Sequence, residues 1–181
     1  MKITKVTEDA VATLLDDLLK RSPNNYTGYA DKVQAIIDDV RERGDEALFE
    51  MTKRFDGADL NADNIRVTQA EIDEAYTLVD VSLIEVIRKA MTNIRVYHEK
   101  QRQYGWFDTT PDGTILGQKV TPLQSTGVYV PGGKAAYPSS VLMNVIPAKV
   151  AGVEKIVMVT PPGKDGKVNP GTLVAANEAG A

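Results

Sequence analysis

The feature that most constrains this chain is a change of hydrophobic period near residue 104. Before it, apolar residues recur at helical spacing; after it, short β-branched runs alternate with turns rich in Gly and Pro. Val11, Leu14, Leu15, Leu18 and Leu19 form a first stripe behind Thr7, which is suited to cap the leading amides, while Glu8 and Asp9 favour the positive end of the helix dipole. Val33, Ile36, Ile37 and Val40 repeat the pattern up to Gly44, where the missing Cβ permits a left-handed stop. Asp45 restarts a helix to about Phe55, and Thr68 with Glu71 has the spacing of a capping box. Leu83, Ile87, Met91 and Ile94 then give a long stripe ending in Lys100 and Arg102.

At Tyr104-Gly105-Trp106 the period shortens. Trp106 to Thr109, a Pro111-Asp112-Gly113 turn and Thr114 to Val120 read as a hairpin. From Gly127 the expected order is a strand (Val128 to Val130), a Gly-rich loop, a helix (about Ser139 to Ala151), a strand (Ile156 to Val159), a loop and a helix (Pro170 to Ala179). Asn169 before Pro170 is a sound entry to that last helix, because a proline at the first helical position loses an amide hydrogen that had no partner. Strand, helix, strand in this order is a unit of parallel sheet. The fold class expected is therefore α/β: a helical N-terminal lobe over 1–104, a hairpin linker over 105–126, and over 127–181 the first strand-helix-strand-helix part of an incomplete Rossmann-like parallel sheet. Two parallel strands rarely stand alone, so the pattern ending at Gly180-Ala181 reads as truncated.

Composition narrows the function classes. Lys plus Arg number 21 against 25 Asp plus Glu, and the net charge of -4 gives no electrostatic footprint for a phosphate backbone, so nucleic acid is not an expected partner. The absence of Cys and the presence of one His exclude a disulfide framework and leave too few ligands for a zinc site built from this chain alone; a reducing, cytoplasmic setting is expected. Met1 to Lys5 leads straight into a charged amphipathic pattern rather than a signal peptide. The most apolar stretch, Val141 to Val153, is interrupted by Asn144, Pro147 and Lys149 and is shorter than the roughly 20 residues of a bilayer span, so no membrane partner is expected.

Ligands of open parallel sheets sit beyond the carboxyl ends of the strands, a position held here by Val130-Pro131-Gly132-Gly133-Lys134-Ala135. Exposed amides in that loop, followed by a helix start capped by Ser139 or Ser140, suit the phosphate of a nucleotide. The spacing is neither G-x-G-x-x-G nor a P-loop, which would need Gly at Val128 and Ser or Thr at Ala135; a tight turn needing glycine for backbone reasons fits the same residues. Tyr129 stands near the strand end, placed either to stack on a cofactor or to pack as a core aromatic. Ser139 lacks the G-x-S-x-G setting of a nucleophile. His98 has no carboxylate one turn away to orient it for triad chemistry and reads as a structural or surface residue. Arg88, Lys89, Arg95, Lys100 and Arg102 lie in the second half of a helix whose first half carries Asp80 and Glu85, which dipole compensation explains. Asp16-Asp17, Asp38-Asp39 and Glu42 read as solvated helix faces. No catalytic or metal residue is assigned.

The segment Gly127-Val-Tyr-Val-Pro-Gly-Gly-Lys-Ala-Ala-Tyr-Pro-Ser-Ser-Val-Leu-Met-Asn-Val-Ile-Pro-Ala-Lys-Val-Ala-Gly-Val153 closely resembles histidinol dehydrogenases. Arg41-Glu-Arg-Gly-Asp-Glu-Ala-Leu48, Thr52-Lys-Arg-Phe-Asp56 and Val159-Thr-Pro-Pro162 are similar to that family as well. The resemblance implies oxidation of L-histidinol through the aldehyde to L-histidine, the last steps of histidine biosynthesis, with two NAD molecules reduced in succession. A zinc ion holds the substrate in such enzymes and a Glu-His pair supplies acid-base catalysis. It further implies an NAD contact at Tyr129, with Pro131, Gly132 and Gly133 shaping the cofactor edge, and a homodimer.

Family chains of this kind are more than twice as long, and their Glu-His pair and zinc ligands match no residue here; His98 corresponds to none of them. The 181-residue chain alone is therefore expected to be inactive, since one imidazole cannot serve as both base and metal ligands. Two alternatives remain at this point: a related NAD-dependent alcohol dehydrogenase of the same superfamily, and a non-catalytic nucleotide-binding or assembly module.

Overall fold

The computed structural model describes residues 7–11, 28–132 and 136–181, together with the backbone but not the side chain of Thr27. The stripe from Leu14 to Leu19, the acidic pair Asp16-Asp17 and the loop residues Gly133 to Ala135 lie outside the described residues. Residues 8–11 are helical, and the Thr7 hydroxyl accepts a hydrogen bond from the Ala10 amide at 3.2 Å, as its capping role requires. The chain divides into two compact units, residues 1–48 and 49–181.

Helix α1 (Thr27–Arg43) occupies the first unit. Arg43 reaches back one turn to grip both carboxylate oxygens of Asp39 at 2.6 and 2.7 Å, and the guanidinium holds the Asp39 carboxyl below the usual carboxylate range. Val33, Ile36, Ile37 and Val40 are 37–51% exposed, so this stripe belongs to the outer surface of the unit. Gly44, at φ 60°, turns the chain into helix α2 (Asp45–Phe55), which starts with two acidic residues and ends with two basic ones in agreement with its dipole.

The second unit holds the core. Helix α3 (Gln69–Leu78) opens with the expected capping box: the Thr68 hydroxyl accepts from the Glu71 amide while the Glu71 carboxylate accepts from the Thr68 amide at 2.7 Å. Helix α4 (Val81–Glu99) follows at once, because Asp80 caps it by accepting from the Ser82 amide at 2.7 Å. Asp80 therefore lies outside the helix body and not in its first half. A hairpin, β1 (Trp106–Thr109) with β2 (Ile115–Gln118), pairs Trp106 with Gln118 and Thr109 with Ile115 around the anticipated turn.

Strand β3 (Ser125–Tyr129) and strand β4 (Lys155–Val159) then pair in parallel, Ser125 opposite Lys155 and Tyr129 opposite Val159, with helix α5 (Pro138–Ala151) as the connection and helix α6 (Pro170–Ala179) following. The class is mixed α/β, as the period change predicts. Helices α3, α4, α5 and α6 pack together, and α5 also meets β3. Val141, Leu142, Val145 and Ile146 of α5 meet Val128 and Val130, Val153, Ile156, Val174 and Ala175 in one cluster, which Ile84 and Ile87 extend into α4. Each such aliphatic side chain contributes on the order of 1.5–3 kcal/mol of burial. Among the described residues no helix is long and apolar enough to cross a membrane.

Candidate functional site

Because β3 and β4 run in parallel, their carboxyl ends lie on the same edge, and the chain leaves both into loops there. The Val130 amide still donates to the Val159 carbonyl at 2.9 Å, which carries the pairing one step past β3. Beyond it lies a crevice of about 440 Å³ lined by Gly132, Thr160, Pro161, Asp165, Asn169 and Thr172 among others. That is the size of a small-molecule site, in the place where open α/β sheets hold ligands.

The sequence-predicted residues divide around this crevice. Gly132 lines it; Tyr129 and Pro131 stand at the same strand end without lining it, and Gly133 lies outside the described residues. Tyr129 is 61% exposed, so it is not the core aromatic that packing alone suggested. Alternation along β3 explains this: Val128 points into the core, and Tyr129 stands on the opposite face beside exposed Val159. At Gly132 a Cβ would lie 2.9 Å from the Thr160 hydroxyl and 3.0 Å from the Pro161 carbonyl oxygen. The glycine thus lets the two loops of the edge close on each other.

The helix starts differ from expectation in an informative way. Neither Ser139 nor Ser140 caps α5. Its N-cap is Tyr137, with Pro138 in the first turn and no side-chain hydrogen bond, since the proline places the start of the helix before both serines. The positive end of α5 is thus left without a side-chain cap. At α6, by contrast, Asn169 accepts from the Gly171 and Thr172 amides at 2.9 and 3.3 Å, so those donors are already engaged.

A largely exposed polar network sets α6 in place. Arg88 of α4 donates to both carboxylate oxygens of Glu178 at 2.6 and 2.9 Å, the Tyr76 hydroxyl of α3 donates to Glu178 at 2.8 Å, and Asn177 donates to the Tyr76 oxygen at 3.0 Å. Arg88 holds the Glu178 carboxyl below its ordinary range, and partial burial raises the Tyr76 hydroxyl. Arg88 therefore serves a contact between helices; the dipole reading of the basic run does not account for it. Sequence spacing gives no sign of a pair separated by 90 residues. The crevice residues Thr160 and Asp165 were also missed, although their position after a parallel strand was a usable signal.

Metal chemistry finds no donor set in the described residues, where no group of three or more His, Cys, Asp or Glu converges. The His98 ring is oriented by Gln101, whose side-chain oxygen lies 2.7 Å from Nδ1.

With this geometry in place, comparison with known proteins is direct. The family model for histidinol dehydrogenase matches residues 19–181. Histidinol dehydrogenase of Bacillus subtilis is 59% identical over 163 residues, covering 90% of this chain and 38% of its own length. That of Heliobacterium mobile is 54% identical over 165 residues, covering 91% of this chain and 39% of its own length. The crystal structure of histidinol dehydrogenase from Elizabethkingia anophelis superposes with a TM-score of 0.77 at 37% identity, covering 84% of this chain and 35% of that one. The chain thus spans about two fifths of the length of these curated relatives. On sequence and on structure alike, it belongs to the histidinol dehydrogenase family.

Proposed function

We propose that these residues form the NAD-binding edge of an oxidoreductase that converts L-histidinol to L-histidine. The observation that carries the reading is the shared carboxyl edge of β3 and β4, where Tyr129 stands exposed beside the Gly132–Thr160 junction, in a chain of this family. On the same reading, β3-α5-β4-α6 begins a Rossmann-like sheet.

The residues present fit a dinucleotide. An exposed Tyr ring offers a stacking surface, the crevice has room for a small molecule, and α5 presents a positive end without a side-chain cap to phosphate. Bound NAD supplies the hydride acceptor for alcohol oxidation. Tyr129 holds a flat ring at the edge, Pro131 and Gly132 shape the backbone beside it, and the resemblance extends that role to Gly133. These residues do not fit zinc, and no step through a metal is assigned to them. The Glu-His pair that the resemblance implies for the acid-base work of the reaction matches no residue of this chain. By themselves the 181 residues are expected to form no NADH from L-histidinol, with or without added zinc. We extend the reading to the homodimer that the resemblance implies and to the reducing, cytoplasmic setting expected from the absence of cysteine.

Titration of the 181-residue chain with NAD by equilibrium dialysis tests the cofactor role. Saturable binding is expected, weakened about tenfold in Tyr129→Ala and retained in Tyr129→Phe. Absence of saturable binding, or equal binding in Tyr129→Ala, contradicts it.

A further inference from the structure

The second unit carries another concavity, on the far edge of the parallel pair from the crevice. Its lining comes from the end of α4 and the turn after it (His98, Arg102, Tyr104), from Pro122 ahead of β3, and from the last turn of α5 (Pro147, Val150) ahead of β4. These segments enter the strands, whereas the crevice follows them, so the two sites share no lining residue. The cleft measures about 350 Å³, within the range of small-molecule sites.

Its chemistry is one-sided. No Asp or Glu lines it. The Arg102 guanidinium lies 5.3 Å from the centre of the Tyr104 ring and takes part in none of the ion pairs among the described residues. With no ion-pair partner among the described residues, the guanidinium fork is available to a carboxylate or phosphate, the groups whose geometry it matches in bidentate fashion. The His98 ring is held in place by the 2.7 Å contact of its Nδ1 with the Gln101 side-chain oxygen. The floor is apolar: Pro122, Pro147, Val150 and Ala151. Pro122 is also wedged against the end of α5, 3.5 Å from where a Cβ at Gly152 would lie, so this floor is set by packing.

We infer that this cleft binds a small anion carrying a flat ring, with the ring on the proline-valine floor and the anionic group on Arg102. The site is separate from the cofactor edge and does not rest on the function proposed above. The shared chemistry admits an aromatic carboxylate or a nucleoside monophosphate.

The test is a set of titrations of the ¹⁵N-labelled 181-residue chain with benzoate, adenosine monophosphate and inorganic phosphate, read by amide shifts. Saturable shifts at residues 98–105 and 147–151 with benzoate or adenosine monophosphate are expected, together with at least tenfold weaker binding of inorganic phosphate. Arg102→Gln, a change at an exposed side chain, is expected to weaken the ring-bearing probes about tenfold, whereas Arg66→Gln, outside the cleft, leaves them unchanged. Ala151→Trp, which fills the floor, is expected to abolish them even where Arg102 is intact. Binding of inorganic phosphate as tight as that of adenosine monophosphate overturns the ring-bearing part of the inference. Absence of saturable shifts in the cleft, or shifts indifferent to both Arg102→Gln and Ala151→Trp, overturns all of it.

Discussion

The second unit contains two sheets of two strands each, and they are held in opposite ways. Every strand residue of the β1–β2 hairpin is exposed, including Trp106, Phe107, Ile115 and Leu116 at 57–69%. The hairpin depends on its turn: the Gly113 amide donates to the Thr110 carbonyl at 2.9 Å, the Thr110 amide to the Thr114 carbonyl at 2.8 Å, and Asp112 accepts from the Thr114 amide at 3.1 Å. The β3–β4 pair has no turn of its own. A whole helix joins its strands, and the pair is secured by what its inner face buries, Val128 and Ile156 against α5 and α6. One sheet is specified locally and the other by the core, so damage to each should propagate differently.

Ile146→Ala, deep in α5, strikes the parallel pair hardest. Ile146 is completely buried, and truncation should cost about 2–5 kcal/mol in urea-monitored stability. Amides of β3, β4 and α6 should lose hydrogen-exchange protection together; loss confined to α5 would break the idea of a single core. Gly132→Ala attacks only the edge. The new Cβ must push against the Thr160 hydroxyl and the Pro161 carbonyl, an overpacking cost of about 1–3 kcal/mol with shifts confined to the two loops.

Glu178→Gln is a smaller perturbation and a pH-dependent one. Arg88 holds the folded carboxyl below its unfolded value of 4.5. Its contribution is therefore complete above that value and is lost as pH falls through the lowered folded pKa. The urea midpoints of wild type and Glu178→Gln should differ most near neutral pH and converge in acid. A gap independent of pH would show that the ion pair is not its source. Smallest of all, Asp112→Ala should leave the global urea midpoint unchanged while broadening the hairpin amide resonances. A global shift would mean that the hairpin belongs to the core after all.

The same contrast explains what was legible in the sequence. Local signals carry over: the Thr68–Glu71 capping box, the Pro111-Asp112-Gly113 hairpin and the Asn169-Pro170 entry to α6 all stand where short-range chemistry puts them. The parallel pairing followed from element order, because strand, helix, strand admits few alternatives. Caps that depend on competition between neighbouring residues do not follow from local spacing. Pro138 moves the start of α5 ahead of Ser139 and Ser140, and Asp80 caps α4 from outside its body, one residue past the Val79 cap that closes α3. Long-range pairs such as Arg88 with Glu178 leave no periodicity to detect. At the site, the loop after β3 was visible through its glycines. The loop after β4 carries only its position after a parallel strand as a signal, and that Thr160 and Asp165 line the crevice depends on the two strands standing side by side.

The most direct test of the account is a chemical-shift map of the ¹⁵N-labelled chain titrated with NAD. Shifts concentrated at residues 127–132 and 159–172, and diminished in Tyr129→Ala, are the predicted result. Shifts confined to residues 98–105 and 147–151, or absent from the carboxyl edge of β3 and β4 at saturation, would contradict the assignment of that edge as the cofactor site.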